Sequence, residues 1–301
     1  MYDVVIPLFN KTATIERCLQ SVAEQTLPVN RVIVVNDGST DNSVSVIKKF
    51  LVNAGIDLLL IEQENQGVSA ARNRGIKAST GELVCLLDAD DAWHPRYVET
   101  MHALVSDYPG ASLYCLGHLL FEDGETVKPK HGCSEGFRGY IENFFVASAR
   151  GSVANSSKVA LRRATLEKVG GFPEGIHVGE DLFTWIRLAS AGRVACDSTP
   201  MVTVYREHDE KRLTRQDGVP YPIIYFGAHK QEMRRIEGLK QYLIKVGLLH
   251  VAGSSLQGNL RGGFIRAKAV LRLSLFWGVM SLGIILIPSQ ILRLVKHRRS
   301  S

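Results

Sequence analysis

Leu83-Val84-Cys85-Leu86-Leu87-Asp88-Ala89-Asp90-Asp91 is an apolar run that ends in three carboxylates within four residues. With no polar alternation it reads as a strand covered on both faces, the pattern of a parallel sheet between helices. The acids then emerge at the C-terminal end of the strand, where open α/β sheets place their ligands. Carboxylates crowded in this way repel one another unless a divalent cation lies between them. Hard oxygen ligands suit Mg²⁺ or Mn²⁺, ions that normally hold substrate phosphates as well. The expectation is a metal-diphosphate site. The same acids could instead cap a helix that opens at Pro95.

Upstream, β and α signals alternate. Asp3-Val4-Val5-Ile6-Pro7 is a strand closed by proline, and Thr12 or Thr14 can cap a helix carrying Ile15, Leu19 and Val22 before Pro28. Arg31 to Val35 is a second strand, and the polar turn Asn36 to Ser43 can cap a helix with Val46, Ile47, Phe50 and Leu51. Leu58 to Ile61 is a third strand, followed by a Gln66-Gly67 turn, a helix over Val68 to Ala78 and a stop at Gly81. Right-handed crossovers between such units gather the loops after the strands at one sheet edge.

Downstream, a helix runs from Pro95 to Tyr108, an apolar strand covers Ser112 to Leu116, and Asp123-Gly124 is a hairpin-like turn. Residues 128–150 have no clean period. Val159 to Leu161 and the turn Gly170-Gly171-Phe172-Pro173 lead to Gly179-Glu180-Asp181, the opening of a helix with Leu182, Trp185, Ile186 and Ala189. Acids at a helix N-terminus are favoured by the macrodipole without any function. Thr199 to Tyr205 forms another strand, followed by His208, of a residue type that is ordinarily a surface loop side chain.

The chain has 301 residues, 45% of them hydrophobic, enough for a catalytic domain of about 200 residues and an appendage. Its five cysteines, Cys18, Cys85, Cys115, Cys133 and Cys196, are scattered singly, which suggests reduced structural thiols in a cytosolic compartment. Met1 leads straight into a strand with no signal-like segment, so export is not expected. Charge divides the chain. Residues 1–233 carry 24 Lys and Arg against 29 Asp and Glu, whereas residues 234–301 carry 12 against 1. That basic tail is interleaved with aliphatic runs rather than with polar residues and stacking aromatics, so anionic lipid, not nucleic acid, is the expected partner.

Six stretches in order resemble family 2 glycosyltransferases, whose domain is a GT-A fold, an α/β nucleotide-sugar-binding sheet with a metal-binding Asp-x-Asp. They are Val5-Ile6-Pro7-Leu8-Phe9-Asn10, Val35 to Asp41, Asn65 to Asn73, Asp88-Ala89-Asp90-Asp91, Gly170-Gly171-Phe172 and Glu180-Asp181, and the resemblance spans residues 1–215. It implies a nucleotide-sugar site of Pro7, Asn10, Asp37, Asn65, Gly67, Arg72, Asp88 and Ala89, with the Asp37 carboxylate accepting from the base. It implies Mn²⁺ or Mg²⁺ on Asp90 with His208 as a late metal or diphosphate contact, and Asp91 supporting that shell. Asp181 matches the general base, and Glu180 would orient hydroxyls. Asn36, where many members carry Asp, leaves the exact contact to the base open. Arg72 has a competing reading as an ordinary exposed helix residue.

The implied reaction is inverting transfer from a nucleotide sugar, most readily a UDP-sugar, to a hydroxyl of a lipid-linked or polysaccharide acceptor, of the kind used in bacterial surface polysaccharides. A nucleotidyltransferase that makes nucleotide sugars is the rival enzyme, but no glycine-rich phosphate loop follows the first strand. A non-catalytic nucleotide-sugar-binding scaffold would need no base. Residues 216–301 read as a basic, apolar helical region. Leu273 to Leu292 is uncharged for twenty residues between cationic flanks, but Pro288 breaks it. It lies between a membrane span and an embedded or interfacial segment at the cytoplasmic face, with a soluble packed helix as the plain alternative.

Overall fold

The computed structural model describes residues 2–206 and 218–286, apart from the side chains of residues 53 and 54. These fall into two compact units, residues 2–176 with 181–206, and residues 177–180 with 218–286. The boundary expected between residues 215 and 216 lies outside the described residues, and the short stretch 177–180 groups with the C-terminal unit.

The first unit is built on a sheet with helices on its faces. Strands β1 (Tyr2–Leu8), β2 (Arg31–Asp37), β3 (Leu58–Gln63) and β4 (Leu83–Leu86) are parallel in the order β3-β2-β1-β4. Helices α1 (Ile15–Ala23), α2 (Ser43–Ala54) and α3 (Val68–Ala78) connect them. The uninterrupted apolar runs are explained by burial, since Val4, Val5, Ile6, Val32 to Val35 and Val84 to Leu87 are all inaccessible. β3 is the sheet edge, and its side chains are only half covered. Along α1 the buried Ile15, Cys18, Leu19 and Val22 recur at helical spacing.

Beyond β4 the sheet turns mixed. β5 (Ala92–Trp93) and helix α4 (Tyr97–Asp107) precede β6 (Leu113–Glu122), which turns through Asp123 (φ 55°) and Gly124 (φ 82°) into β7 (Glu125–Val127). That two-residue turn with left-handed backbone is the hairpin read from the sequence. β8 (Arg138–Tyr140), helix α5 (Phe144–Arg150) and β9 (Val159–Arg162) follow, with β9 antiparallel between β4 and β6. Helices α6 (Arg163–Lys168) and α7 (Glu180–Ala191) lead to β10 (Val194–Arg206), parallel to β6.

Three expectations need correction. The strand placed at Ser112 to Leu116 runs on to Glu122, because Gly117, which breaks the apolar pattern, lies where the backbone at Ser198 approaches too closely for a Cβ. The strand placed at Thr199 begins at Val194, and register shifts around Pro200 hide its first half from a periodicity reading. Thr14 occupies the cap position of α1 without capping it, and its Oγ1 instead donates to the Ala89 carbonyl at 2.9 Å.

Gly75 on α3 shows how tightly the layers meet, since a Cβ there would lie 2.5 Å from Val5 Cγ1 and 3.2 Å from Val35 Cγ2. Branched valines cannot swing aside cheaply, so Gly75→Ala should destabilise this unit by about 1–3 kcal/mol. Urea unfolding checks it as a lower midpoint at unchanged slope.

In the second unit, α8 (Tyr221–Ala228) and α9 (Lys230–Arg235) precede α10 (Leu239–Leu256), α11 (Leu260–Leu273) and α12 (Leu275–Ile285). Extended backbone at Ser274 (φ −158°, ψ 123°) separates α11 from α12, so the uncharged tail is no continuous helix. At 1.5 Å per residue α12 is about 16 Å long, against about 30 Å of bilayer core. No described helix is long and apolar enough to cross a membrane. Residues 287–292 of the expected segment lie outside the described residues.

Candidate active site

The loops after β1, β2 and β3 interlock at the C-terminal edge of the sheet. Asn10, with φ 52°, accepts from Thr40 N at 2.8 Å and donates its own N–H to Ser39 Oγ at 3.0 Å. Asparagine tolerates that left-handed backbone better than most residues. Lys11 N and Thr12 N donate to Ser43 Oγ at 2.8 Å and Asp41 Oδ2 at 3.0 Å. The loop after β1 thus spends its polar groups on its neighbour and forms no glycine-rich phosphate cradle. Pro7 lies in β1 opposite Val35.

Asp37 is buried, and its carboxylate accepts from Gln66 N and Gln63 Nε2 on Oδ1 and from Gly67 N on Oδ2, each at 2.8 Å. Asn65 Nδ2 donates to the Asp37 carbonyl at 3.0 Å. The Asp37 carboxylate, expected to accept from the base, holds the Asn65 to Gly67 turn that opens α3. Asn36 accepts from Ser39 N at 3.0 Å, so it shapes the turn that carries Asp37.

The acidic stretch leaves β4 at Leu86 and is held by cations and hydroxyls. Arg72 Nη2 pairs with Asp88 Oδ1 at 2.8 Å, and Lys11 Nζ pairs with Asp90 Oδ2 at 2.5 Å. Arg72 is buried, so it is no solvated helix residue. The Asp88 and Asp90 side chains both remain 35% accessible. Ala89 is buried beneath them. Asp91 faces inward, accepting from Ser157 Oγ and from Tyr205 N at 3.1 Å. Ser157 Oγ in turn accepts from Asp88 N at 3.1 Å. Burial, then the charges of Asp88 and Asp90, push the Asp91 carboxyl up to about 8, against the hydrogen bonds from Ser157 and Tyr205. The alternative of a cap for the helix near Pro95 does not hold: Arg96 occupies the cap position of α4.

Asp181 stands in the first turn of α7 and accepts from Leu182 N at 2.6 Å. Burial pushes its carboxyl above the ordinary carboxylate range, the Arg72 guanidinium pulls it down and Asp88 pushes it up. Asp181 is thereby electrostatically tied to the Arg72-Asp88 pair. Glu180 begins the same helix and groups with the C-terminal unit. His208, expected at the metal or diphosphate, lies outside the described residues.

Several residues escape a sequence reading. Lys11 and Ser157 carry no pattern that marks them, yet they hold Asp90 and Asp91. Arg17 Nη2 donates to the Asp90 carbonyl at 2.8 Å, and its guanidinium lies 3.6 Å from the Tyr205 ring centroid. Asn73 clamps both backbone groups of Phe172 at 2.8 Å, joining α3 to the Gly170-Gly171 turn. Its place beside Arg72 in a quoted stretch was the available signal. An open groove of about 700 Å³ lies along β3 and α3, lined by Gln63, Gln66, Asn73 and Glu174 among others. None of Asp88, Asp90, Asp91 and Asp181 lines this groove.

A sequence profile described as glycosyl transferase family 2 matches residues 3–170. The uncharacterized glycosyltransferase YibD of Escherichia coli strain K12 is 39% identical over 125 residues, 41% of this chain and 36% of YibD. The chain spans between 15% and 62% of the length of the first curated relatives it matches. Among solved structures, S. aureus TarS 1-349 in complex with UDP-GlcNAc superposes with a TM-score of 0.69 at 17% identity, over 94% of this chain and 89% of that one. The mannosyltransferase PcManGT from Pyrobaculum calidifontis, in complex with GDP-Man and Mn²⁺, gives 0.57 at 21% identity, over 94% and 84%. These likenesses establish the fold as GT-A, and the profile establishes the lineage: the chain belongs to glycosyl transferase family 2.

Proposed function

We propose that this chain transfers a sugar from a nucleoside diphosphate sugar, a UDP-sugar first among them, to an acceptor hydroxyl with inversion at the anomeric carbon. The observation that carries the reading is Asp181, a carboxyl raised above its ordinary range and tied to the Arg72-Asp88 pair at the head of the acidic loop. A carboxyl pKa raised toward the operating pH suits a general base for a hydroxyl. TarS and PcManGT, with UDP-GlcNAc and GDP-Man, support a donor of this class.

The residues present fit a divalent cation. Lys11 and Arg72 each cover one carboxylate, yet Asp91 still feels the charges of Asp88 and Asp90. Asp90 would hold Mn²⁺ or Mg²⁺, with His208 as a further contact, and the ion would supply charge neutralisation of the donor diphosphate. Asp91 keeps the loop in place through Ser157 and Tyr205. Asp181 takes the proton of the acceptor hydroxyl as that oxygen attacks opposite the leaving nucleoside diphosphate, so one base suffices and no covalent nucleophile is required. Glu180 orients hydroxyls beside it. Screening nucleotide sugars for slow hydrolysis with Mn²⁺ or Mg²⁺ tests the reading without an acceptor. Neither binding nor hydrolysis of any donor would sink it.

The acceptor we propose is lipid-linked or a polysaccharide, met at the cytoplasmic membrane face during surface polysaccharide assembly. α12 supports this through its exposed apolar face: Leu275 (74%), Phe276 (64%), Val279 and Met280 are exposed, while Gly278, Ser281 and Ile285 are buried. Phe264 and Ile265 on α11 are exposed too, beside the exposed Lys268 and Arg272. Burying such side chains in lipid contributes several kcal/mol at roughly 25 cal/mol per Å², and each cation near an anionic surface adds about 1 kcal/mol. Trp277 is 41% exposed, whereas Trp93 and Trp185 are buried. Its emission should shift to the blue with phosphatidylglycerol vesicles and stay shifted in high salt. An unshifted spectrum would refute the membrane reading and leave the transferase reading standing.

A further inference from the structure

Cys133 and Cys196, 63 positions apart in sequence, meet at the start of β10 together with His131. The sulfur of each and a ring nitrogen of His131 lie within 4.8 Å of one another, and Cys196 Sγ is 3.8 Å from His131 Nε2. Cys196 is buried in β10, between Gly139 of β8 and Cys115 of β6, whereas Cys133 is half-buried on the loop between β7 and β8. A cation lies within electrostatic reach of the cluster. Lys158 is fully buried, with Nζ 3.1 Å from His118 Nδ1 and donating to Ser152 O at 3.0 Å. Its field reaches Cys115, Cys133 and Cys196, and burial lowers its own pKa to about 8.

Two chemistries suit two sulfurs and an imidazole, a soft divalent metal or a dithiol. The hydrogen bonding decides between them. Cys133 N donates to His131 Nδ1 at 3.0 Å, so in the neutral ring Nδ1 is the acceptor and the proton sits on Nε2, facing Cys196. Nε2 therefore has no lone pair for a metal, and a buried ammonium beside the sulfurs opposes a second cation while favouring a thiolate. The two thiols are also unequal. A hydrogen bond from Cys196, with His131 and Lys158 adding their pull, lowers Cys133 to about 5, while Cys196 is driven well above the ordinary thiol value.

We propose that Cys133 and Cys196 form an oxidation site, in which the accessible Cys133 sulfur attacks a hydroperoxide and Cys196 closes a reversible disulfide. The Cys133 sulfur displaces alkoxide or hydroxide as the peroxide O–O bond breaks, leaving a sulfenic acid. The Cys196 sulfur then attacks that sulfenic sulfur and water leaves. In total two thiols and one hydroperoxide give one disulfide, one alcohol or water from the peroxide, and one water, with two electrons passing to the peroxide. The disulfide would tie the loop between β7 and β8 to β10. It does not depend on the sugar-transfer reading.

The experiment treats the purified full chain with hydrogen peroxide, alkylates it, digests it and reads the cysteines by mass spectrometry. One dithiothreitol-reversible disulfide joining the Cys133 and Cys196 peptides is expected, with Cys18, Cys85 and Cys115 unmodified until the chain is denatured. Cys196→Ser should leave a dimedone-reactive sulfenic acid at Cys133, and Cys133→Ser should abolish both products. His131→Asn should slow oxidation several-fold without changing the thermal midpoint by as much. At pH 6 iodoacetamide should label Cys133 at least tenfold faster than a free thiol, with His131, His118, Lys158, Cys115 and Cys196 the titratable groups around it. Labelling of Cys133 no faster than a free thiol overturns the proposal. So does one equivalent of zinc per chain that is lost in Cys133→Ser, which would make the cluster a metal centre.

Discussion

Asp181→Asn is expected to lower turnover by a factor of about 10² to 10⁴ while donor binding stays nearly intact, the span for loss of a general base. The amide keeps the shape and can still accept from Leu182 N, but it cannot take a proton. The wild-type kcat/KM should rise with pH through a value above the ordinary carboxylate range, because only ionised Asp181 is active and burial opposes ionisation. The variant should lack that limb. The stability sign follows from the same shift. A carboxyl whose folded pKa is raised binds its proton more tightly folded than unfolded, so stability falls as pH rises above the unfolded value. Asp181→Asn removes that loss, so its thermal midpoint should exceed the wild-type midpoint at pH 7 and converge with it in acid. Glu180→Gln should cost less and raise the acceptor KM. If Glu180→Gln were the more crippling change, the base would be the other acid.

Asp90→Ala should remove the metal-dependent part of nucleoside diphosphate binding, a fall of about 100-fold or more, because outer-sphere partners alone are worth 10- to 100-fold. Calorimetry with UDP and GDP, with and without Mn²⁺, measures it. Lys11, which pairs with Asp90, would be left without that anion and would itself attract diphosphate, so a weaker, chelator-insensitive component should survive. Asp90→Asn is the softer probe because it keeps one oxygen ligand. Wild-type binding unchanged by chelator would remove the metal from the mechanism.

Much of this arrangement was legible in advance for a local reason. Strands β1, β2 and β4 are covered on both faces, so their sequences are unbroken apolar runs, and the polar residues after them had to lie at one edge. Asp37, Asp88, Asp90 and Asp181 could be picked out as candidates because each follows an apolar run or opens a helix, whereas Arg72 lies inside α3 and came from the resemblance alone. What escaped reading was pairing across long separations. Nothing local distinguishes Thr14 as a cap from Thr14 as a donor to Ala89, and the latter needs the loops after β1 and β4 to be side by side. That the Asp37 carboxylate also holds the turn that opens α3 is likewise a relation between separate loops.

By itself the sequence determined that the chain alternates strands and helices, that its carboxylates gather at the ends of parallel strands, and that its basic charge belongs to the tail. Those properties follow from periodicity and composition, which act over a few residues. Only the tertiary structure decided which cation neutralises which acid, that Asp91 is turned inward against Ser157, and that α12 leaves Leu275, Phe276, Val279 and Met280 exposed. It also decided that two solitary cysteines lie together beside a buried lysine. Such relations depend on the register of strands distant in sequence, β10 against β6 and β8 above all, and a one-residue slip there would send Cys196 to the other face.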